Sequence, residues 1–210
     1  ITTGDFRTTE IKETNNFAAL LDEISKYSPA EIVVNTMLYD CKEEIDKIKE
    51  RFEVYITRLD EKEFTDNYEA LSVKYKIVDD EEKNVEDISK YMLSVAATNA
   101  LITYLLNTQK NNLEHINKLI VYSITKYMAL DINARRNLEI TEKLRDKSKK
   151  GTLLWVLDKT ATSMGGRLLR RWLNNPLIDV NQINKRLDAV AELKDNIILR
   201  GDLTDALKKV

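Results

Sequence analysis

Residues 131–145 read D-I-N-A-R-R-N-L-E-I-T-E-K-L-R, and residues 151–177 read G-T-L-L-W-V-L-D-K-T-A-T-S-M-G-G-R-L-L-R-R-W-L-N-N-P-L. Two arginines stand before an asparagine and an alternation of apolar and acidic residues, and a short basic loop follows. An apolar turn that contains a tryptophan then ends at an acid, and the residues S-M-G-G open a helix rich in arginine. This order of residue types extends over several predicted elements. It is far more specific than the amino-acid composition of the chain alone would require.

The second half of this stretch carries its own helix signals. Thr162 is a predicted N-cap, and Pro176 ends the helix because proline cannot continue it. Gly165 and Gly166 near the helix start each cost about 1 kcal/mol relative to alanine. Close approach of another helix is the simplest compensation for that cost.

Arg135 and Arg136 are the most informative charged pair. A guanidinium has five donors in a rigid fork, so it suits phosphate and carboxylate equally, and both a DNA contact and an ion pair are open. We favour ion pairs that lock helices together, and we expect Asn137 to bond to backbone at the same joint. The acids considered as partners are Asp131, Glu139 and Asp158.

The arginine-rich helix is amphipathic by spacing. Its arginines lie three and four residues apart, and they can face either an acidic neighbouring domain or solvent. Trp155 and Trp172 have apolar neighbours, which predicts core packing rather than base stacking. The arginines are Arg167, Arg170 and Arg171.

The pattern of residues 131–177 resembles the core, or lever, region of the MutS family of DNA mismatch repair proteins. Residues 1–10 are similar to the D-x-S/T-T-G-E/D-F…T-E hairpin of that family's connector domain, and residues 29–35 match its P-x-E-I strand. Residues 96–116 match the A-x-x-A-L…Y-L…T-Q…L-x-H-I passage that enters the core, and residues 183–193 match I-x-x-R-L-D-A-V-x-E-L. The G-F-G step usual before the long helix is replaced by the charge run 79–83.

The resemblance implies an α/β plus all-α fold. Residues 1–83 would form an RNase H-like α/β connector domain whose first strand is missing, and residues 84–210 the N-terminal, long-helix part of the core domain. The chain is then expected to be an internal piece of a longer protein. The residues assigned to a structural and coupling motif are Arg135, Arg136, Asn137, Asp158, Gly165, Gly166, Arg167, Arg171, Trp172 and Arg186.

Periodicity in the first 80 residues agrees with a small α/β unit. Apolar residues at helical spacing predict helices near residues 17–24 and 45–52, and each precedes a β-branched run. These runs, Glu31–Asn35 and residues 54–57, predict two strands. Residues 64–77 fit either period, and the family resemblance favours a helix there.

The run Asp79-Asp-Glu-Glu-Lys83 contains no apolar residue and predicts a domain boundary. Beyond it, apolar residues from Val85 to Leu106 step by three and four, which predicts one helix of roughly 30 Å. An extended segment is expected within residues 119–130, and the remainder is expected to be helical.

Composition indicates a cytoplasmic protein. No apolar run approaches the roughly 18–20 residues that span a bilayer, and the first residues lack the layout of a secretory signal. Cys41 is the one cysteine of the chain, which suits a reducing compartment.

The net charge of −2 is unevenly spread. Residues 131–210 hold 17 Lys/Arg and 11 Asp/Glu, a net charge of +6, whereas residues 1–130 hold 16 and 24, a net charge of −8. The positive half can attract phosphates. Because its basic residues are interleaved with acids, we favour a solvated helical surface.

Catalytic chemistry has little support in the sequence. No glycine pair has the P-loop spacing before a lysine, so no nucleotide site is expected. One histidine, His115, and one cysteine cannot supply most zinc sites or nucleophilic triads. A divergent RNase H-like nuclease would need clustered acids for two metals. The candidates are Asp5, Glu10, Glu31 and Asp60.

The function implied by the resemblance is a non-catalytic connector and core fragment that couples mismatch and DNA binding to an ATPase domain absent from this chain. ATP, magnesium, mismatched duplex DNA, dimerisation and MutL docking on the connector would belong to the full-length protein. No cofactor, metal or membrane is expected for the fragment, and we assign no DNA-contacting residue. The alternative is a stand-alone helical scaffold or general nucleic-acid-binding module.

Overall fold

A computed structural model describes residues 4–12, 16–81, 83–85, 87–108 and 113–209 of the chain. It divides into two compact units, Ile1–Ile124 and Thr125–Val210. Some predictions lie outside the described residues, namely the first three residues of the expected hairpin, Glu82 of the charge run and Gln109 of the T-Q motif.

The first unit mixes helices with short strands, as the two alternating periods of its sequence predicted. Its strands are β1 (Arg7–Thr8), β2 (Glu31–Asn35), β3 (Tyr55–Leu59), β4 (Lys76–Asp79) and β5 (Lys118–Val121). Its α-helices are α1 (Asn16–Tyr27), α2 (Thr36–Asp40), α3 (Lys42–Arg51), α4 (Tyr68–Lys74) and α5 (Met92–Thr108).

Strands β2 and β3 pair in parallel, with Glu31 opposite Tyr55 and Asn35 opposite Leu59. The chain crosses between them through α2 and α3, which is the connection that parallel strands require. Asn35 begins α2 as its N-cap, because its side chain accepts a hydrogen bond from the backbone N–H of Leu38 at 3.1 Å. The predicted helix–strand–helix–strand order is confirmed here.

A second parallel sheet has the order β1-β5-β4. Its central strand β5 pairs with β1 on one side and with β4 on the other. This pairing places residues 92–121 with the first unit, whereas the sequence had predicted that a second domain begins at residue 84. The charge run is a turn inside the unit, where the Asp79 carboxylate accepts hydrogen bonds from the backbone N–H groups of Glu81 and Lys83, each at 2.9 Å.

Two predicted helices differ in extent. The predicted helix over residues 64–77 is found as α4, but it ends at Lys74 because the following residues join β4. The long helix starts at Met92 rather than near Val85. Asp87 instead caps a short 3-10 turn, Ile88–Lys90, by accepting from the N–H of Ser89.

Two hydrophobic clusters form the core of the first unit. One lies between α1, α3 and the β2–β3 sheet and is built on Leu21, Ile24 and Ile48. The other packs α4 and α5 against the second sheet. Its buried members are Phe6, Leu71, Tyr75, Ile88, Val95, Leu105, Leu113, Ile116, Leu119 and Val121.

The second unit is helical, as predicted. Its helices are α6 (Ile132–Asn137), α7 (Leu153–Leu157), α8 (Ser163–Asn174), α9 (Val180–Asp195) and α10 (Ile197–Leu207). The extended segment predicted within residues 119–130 is found in part: residues 119–121 belong to β5 and Tyr127 forms an isolated antiparallel bridge with Leu177, but Ile124–Lys126 form a 3-10 turn. No described helix of either unit has the length and apolar character needed to cross a membrane.

Candidate functional site

Arg135 belongs to the stretch 131–177 and is buried in the second unit, where it is 9% exposed. It lies on α6, which begins at the N-cap Asp131. Its Nε donates to the carbonyl of Leu130 at 3.0 Å, its Nη1 to the Asn174 side-chain oxygen at 3.1 Å, and its Nη2 to the Asn174 carbonyl at 2.7 Å. One guanidinium therefore fastens the end of α8 to the start of α6.

The position of Asn174 explains this geometry. It is the last residue of α8, and the final carbonyls of a helix have no partner within the helix. A cation there satisfies such a carbonyl and also interacts favourably with the negative end of the helix dipole. Hydrogen bonds from a charged donor stabilise by about 1.5–3 kcal/mol, so this contact is a strong joint.

The acids predicted as arginine partners have other roles. Asp131 accepts from the N–H of Ala134 at 2.6 Å, and Glu139 accepts from the N–H of Leu144 at 2.8 Å. Asp158 accepts from the N–H and the hydroxyl of Thr160 at 3.1 and 2.7 Å. Each carboxylate satisfies local backbone, which competes for it more effectively than a distant arginine does.

Arg136 and Asn137 face outward. Both side chains are exposed, and within the described residues neither forms the ion pair or backbone bond that the sequence predicted. The helical repeat explains the difference, because adjacent positions on α6 point about 100° apart and Arg135 occupies the inward one.

Thr162 is the N-cap of α8, as predicted, and its hydroxyl accepts from the N–H of Gly165 at 3.0 Å. The predicted approach of another helix to the glycines is wrong for the described residues. A Cβ at Gly165 would lie 3.2 Å from the Thr162 hydroxyl and 3.3 Å from the Cβ of Thr160, and one at Gly166 would lie 3.3 Å from the Thr160 hydroxyl. The glycines make room for the loop that precedes their own helix.

Asp158 orders this loop. It follows α7, and its hydrogen bonds from Thr160 hold the pKa of its carboxyl below the ordinary value. The carboxylate is exposed and stays ionised at neutral pH. It therefore acts as a turn-forming acceptor between α7 and α8.

Trp172 and Arg186 form a contact between α8 and α9. The Arg186 guanidinium lies 4.0 Å from the centre of the Trp172 ring, a cation–π geometry that stabilises by about 0.5–1 kcal/mol at exposed sites. Burial lowers the pKa of Arg186, and the like charge of Arg171 lowers it further against the opposing effect of Tyr127. Arg167 and Arg171 are exposed and form no ion pair with any described residue.

Neither tryptophan is buried among the described residues, contrary to the predicted core packing. Trp155 is 49% exposed and Trp172 is 38% exposed, and each carries a basic side chain near its ring. The apolar neighbours that suggested a core belong to helix faces that are themselves exposed.

Three residues whose contacts order these helices were not predicted. Asn174 supplies two acceptors to Arg135, and Leu130 supplies a third. Thr152 is 1% exposed and caps α7 by accepting from the N–H of Trp155 at 3.2 Å. Thr152 could have been predicted from the sequence, because a threonine directly before an apolar turn is a usual N-cap residue.

The four carboxylates considered for a nuclease are held apart in separate contacts. Asp5 pairs with Arg7, Glu10 accepts from the start of α5, Glu31 accepts from Thr57, and Asp60 pairs with Lys62. No group of three potential metal ligands occurs in the part of the chain that the structure describes.

The contacts of these residues join the helices of the second unit to one another. The buried Arg135 donates to oxygens of Leu130 and Asn174, and Asp131, Glu139 and Asp158 accept from nearby backbone N–H groups. Such contacts fix the relative position of α6, α7 and α8, and the backbone bonds from Leu153 to Glu139 (3.2 Å) and from Leu154 to Ile140 (2.9 Å) reinforce them.

Two protein-family models match the chain. The model described as MutS domain II matches residues 1–117, and the one described as MutS domain III matches residues 133–210. The limits of these matches flank the division between the two compact units.

Curated relatives give the same result. The DNA mismatch repair protein MutS of Ruminiclostridium cellulolyticum is 48% identical over the whole chain, which covers 24% of that protein. The MutS proteins of Acetivibrio thermocellus and Clostridium novyi are 44% and 47% identical over the whole chain, which covers 24% and 22% of them. The chain thus spans about a quarter of the length of these relatives. Its sequence and its two matched domains make the chain a member of the MutS family of DNA mismatch repair proteins.

Proposed function

We propose that this chain is a non-catalytic connector and core module that couples mismatch and DNA binding to the ATPase domain of a whole MutS-family protein. The first unit would be an RNase H-like connector, and the second would be the helical part of the core. In this proposal ATP and magnesium act at the ATPase domain, and the chain has no enzymatic activity of its own.

The observation that carries the proposal is the Arg135 joint. A shift of one domain reaches another through packed elements that move as a body, which requires that the elements be fixed to one another. Arg135 donates to the carbonyl of Leu130, just before α6, and to two oxygens of Asn174 at the end of α8. A displacement of either helix would therefore be passed to the other.

The other motif residues support the same role. Thr162 and Asp158 set the turn between α7 and α8, and Gly165 and Gly166 let that turn lie against α8. Arg186 on Trp172 joins α8 to α9. The outward-facing Arg136, Asn137, Arg167 and Arg171 are proposed as contacts to other domains of the whole protein.

The proposal also assigns the family's partners to the whole protein. These are mismatched duplex DNA, the mismatch-binding, clamp and ATPase domains, a second copy in a dimer, and MutL docking on the connector. The cytoplasm is the proposed compartment.

The decisive experiment is ATP hydrolysis by a whole protein that contains this chain, with and without mismatched duplex. Arg135→Ala should keep basal hydrolysis and mismatch binding but lose most of the DNA-dependent change in rate. Lys185→Ala is the control, because that side chain is exposed on α9, forms no ion pair with a described residue and has no place in the joint. Normal coupling in a folded Arg135→Ala protein would overturn the proposal.

A second candidate is a stand-alone nucleic-acid-binding module, favoured by the net charge of +6 over residues 131–210. A general module of that kind would bind duplex in isolation at physiological salt, in the sequence-independent Kd range of about 10⁻⁴–10⁻⁶ M or tighter. The coupling module should bind duplex measurably only at low salt, because such binding weakens steeply as salt rises. Titration of the purified chain with matched and mismatched duplex separates the two.

A further inference from the structure

The loop between α6 and α7 concentrates positive charge. Residues 143–150 read K-L-R-D-K-S-K-K and hold five basic residues and one acid, a net charge of +4. Its most prominent basic side chains, at positions 145, 147, 149 and 150, are exposed. Arg145, Lys149 and Lys150 form no ion pair with any residue that the structure describes.

The loop is folded rather than extended. The N–H of Lys143 donates to the carbonyl of Ser148 at 3.0 Å, and the N–H of Lys147 donates to the carbonyl of Lys143 at 3.1 Å. Lys147 has a positive φ of 54° and Gly151 one of 89°, which turn the chain back on itself. These backbone hydrogen bonds and turns give the loop one conformation, which holds its basic residues close together.

Both ends of the loop are anchored. Before it, the Glu139 carboxylate accepts from the N–H of Leu144 at 2.8 Å. After it, the buried hydroxyl of Thr152 donates to the carbonyl of Lys149 at 2.8 Å. A surface that is ordered before it binds loses less conformational entropy on binding than a flexible tail does.

The acid within the loop does not neutralise it. The Asp146 carboxylate accepts from the N–H of Ser148 at 3.0 Å, and the Ser148 hydrogen bonds hold the pKa of Asp146 below its ordinary value. Asp146 therefore shapes the turn and leaves the basic side chains at the surface. The local field of the loop is positive.

We infer that this loop, residues 143–150, binds the phosphate backbone of duplex DNA. The six residues from Arg145 to Lys150 extend over at most about 17 Å between their first and last Cα atoms, and duplex DNA presents one charge per roughly 1.7 Å of axis. Several phosphates thus lie within reach of one loop. The loop has no aromatic residue, asparagine or glutamine, so it offers neither aromatic base stacking nor amide readout of base edges.

The choice of duplex DNA among polyanions rests on the proposed function. The loop is separate from the Arg135 joint, and its contact needs no ATPase domain. Duplex binding by the loop and coupling by the joint can therefore fail independently.

The test compares two triple variants of the chain by fluorescence anisotropy with a labelled duplex at salt concentrations from about 25 to 200 mM. One variant is Arg145→Gln/Lys149→Gln/Lys150→Gln in the loop. The control is Lys42→Gln/Lys49→Gln/Lys76→Gln, which removes the same charge from exposed residues of the first unit. Tryptophan fluorescence and a thermal melt verify that both variants are folded.

The loop variant should lose about tenfold or more in affinity at low salt, and the slope of log affinity against log salt should fall by up to about 0.9 for each phosphate contact removed. The control should lose less than about twofold. Equal losses in the two variants would overturn the inference, because net charge alone would then explain binding.

Two further outcomes would also overturn it. Polyglutamate that competes as well as duplex, charge for charge, would assign the loop to an acidic protein. Absence of duplex binding by the unaltered chain at low salt would remove the contact altogether, while the ATPase measurement on the whole protein would still decide the coupling role.

Discussion

The two units are held together in different ways. The first has two hydrophobic clusters, and its strands and helices bury side chains such as Ile48, Val78 and Leu119 completely. Among the described residues of the second unit, the buried side chains are Arg135, Ile140 and Thr152, two of which are polar. Removal of apolar surface from water is therefore the main stabilising contribution in the first unit. In the second unit, hydrogen bonds at the helix caps and at Arg135 have that role.

The small number of buried side chains in the second unit does not come from a lack of apolar residues. Its helices expose many of them, and the described part of the unit provides no element that covers them. The exposed members include Leu153, Val156, Met164, Val180, Leu187, Val190, Ile197 and Ile198. Since burial contributes about 25 cal/mol per Å² of apolar surface, the second unit should open at lower denaturant than the first.

The chain offers a probe for each unit. Both tryptophans, Trp155 and Trp172, lie in the second unit, so their fluorescence reports its unfolding alone. Eight of the nine tyrosines precede residue 125 and report mainly on the first unit. Urea unfolding followed by both signals tests the comparison directly, and coincident transitions would contradict it.

Leu119→Ala should give the largest effect. Leu119 is 0% exposed in the central strand β5, and loss of its buried methyl groups should reduce the free energy of unfolding by about 2–5 kcal/mol. The tyrosine transition should shift and the tryptophan transition should not. Leu187→Ala, at a residue 58% exposed on α9, is the matched control and should change stability by less than about 0.5 kcal/mol.

Arg135→Ala should destabilise the second unit by about 1.5–3 kcal/mol, because it removes bonds to three oxygens and leaves an oxygen of Asn174 without its donor. The tryptophan transition measures this loss. Arg136→Ala should leave that transition within about 0.5 kcal/mol of the original. Similar effects of the two changes would show that the joint contributes nothing beyond surface charge.

Gly165→Val should destabilise the second unit by about 1–3 kcal/mol, because its Cβ would already lie 3.2–3.3 Å from Thr160 and Thr162. Gly201→Ala is the opposite case. Gly201 lies inside α10 with nothing within 4 Å of an added Cβ, so alanine should stabilise the helix by about 0.5–1 kcal/mol. An unchanged melting temperature for Gly165→Val would refute the close approach of the 158–162 loop.

The smallest expected effect is on the pH dependence of the stability of the first unit. Burial raises the pKa of Glu10, but hydrogen bonds from Lys12 and from the N–H groups of Ser94 and Leu93 outweigh it and leave the pKa below the ordinary value of 4.5. A lowered pKa in the folded state means that the contact stabilises the first unit fully above pH 4.5 and less as the pH falls through the folded pKa. Glu10→Gln should therefore weaken the acid dependence of the tyrosine transition. A tyrosine transition with unaltered pH dependence would show that the cap at the start of α5 contributes little.

Local sequence signals predicted a good part of the fold. The helices near residues 17–24 and 45–52, the strand Glu31–Asn35 and the Thr162 cap were all found as expected. Each depends on neighbours within a few residues, where spacing and capping chemistry decide the backbone. The predicted partners of Arg135 and the predicted burial of Trp155 were wrong, because both depend on residues remote in the chain.

By itself, the sequence determined the family, the alternation of helices and strands in the first unit, and the residues that begin and end α8 in the second. Tertiary structure alone decided that β5 pairs between β1 and β4, that Asn174 accepts the bonds of Arg135, and that a turn rather than a helix lies against Gly165. Periodicity shows which face of an element is apolar and where that element stops. It contains no information about which distant element covers that face, since partners are chosen by the packing of the whole chain.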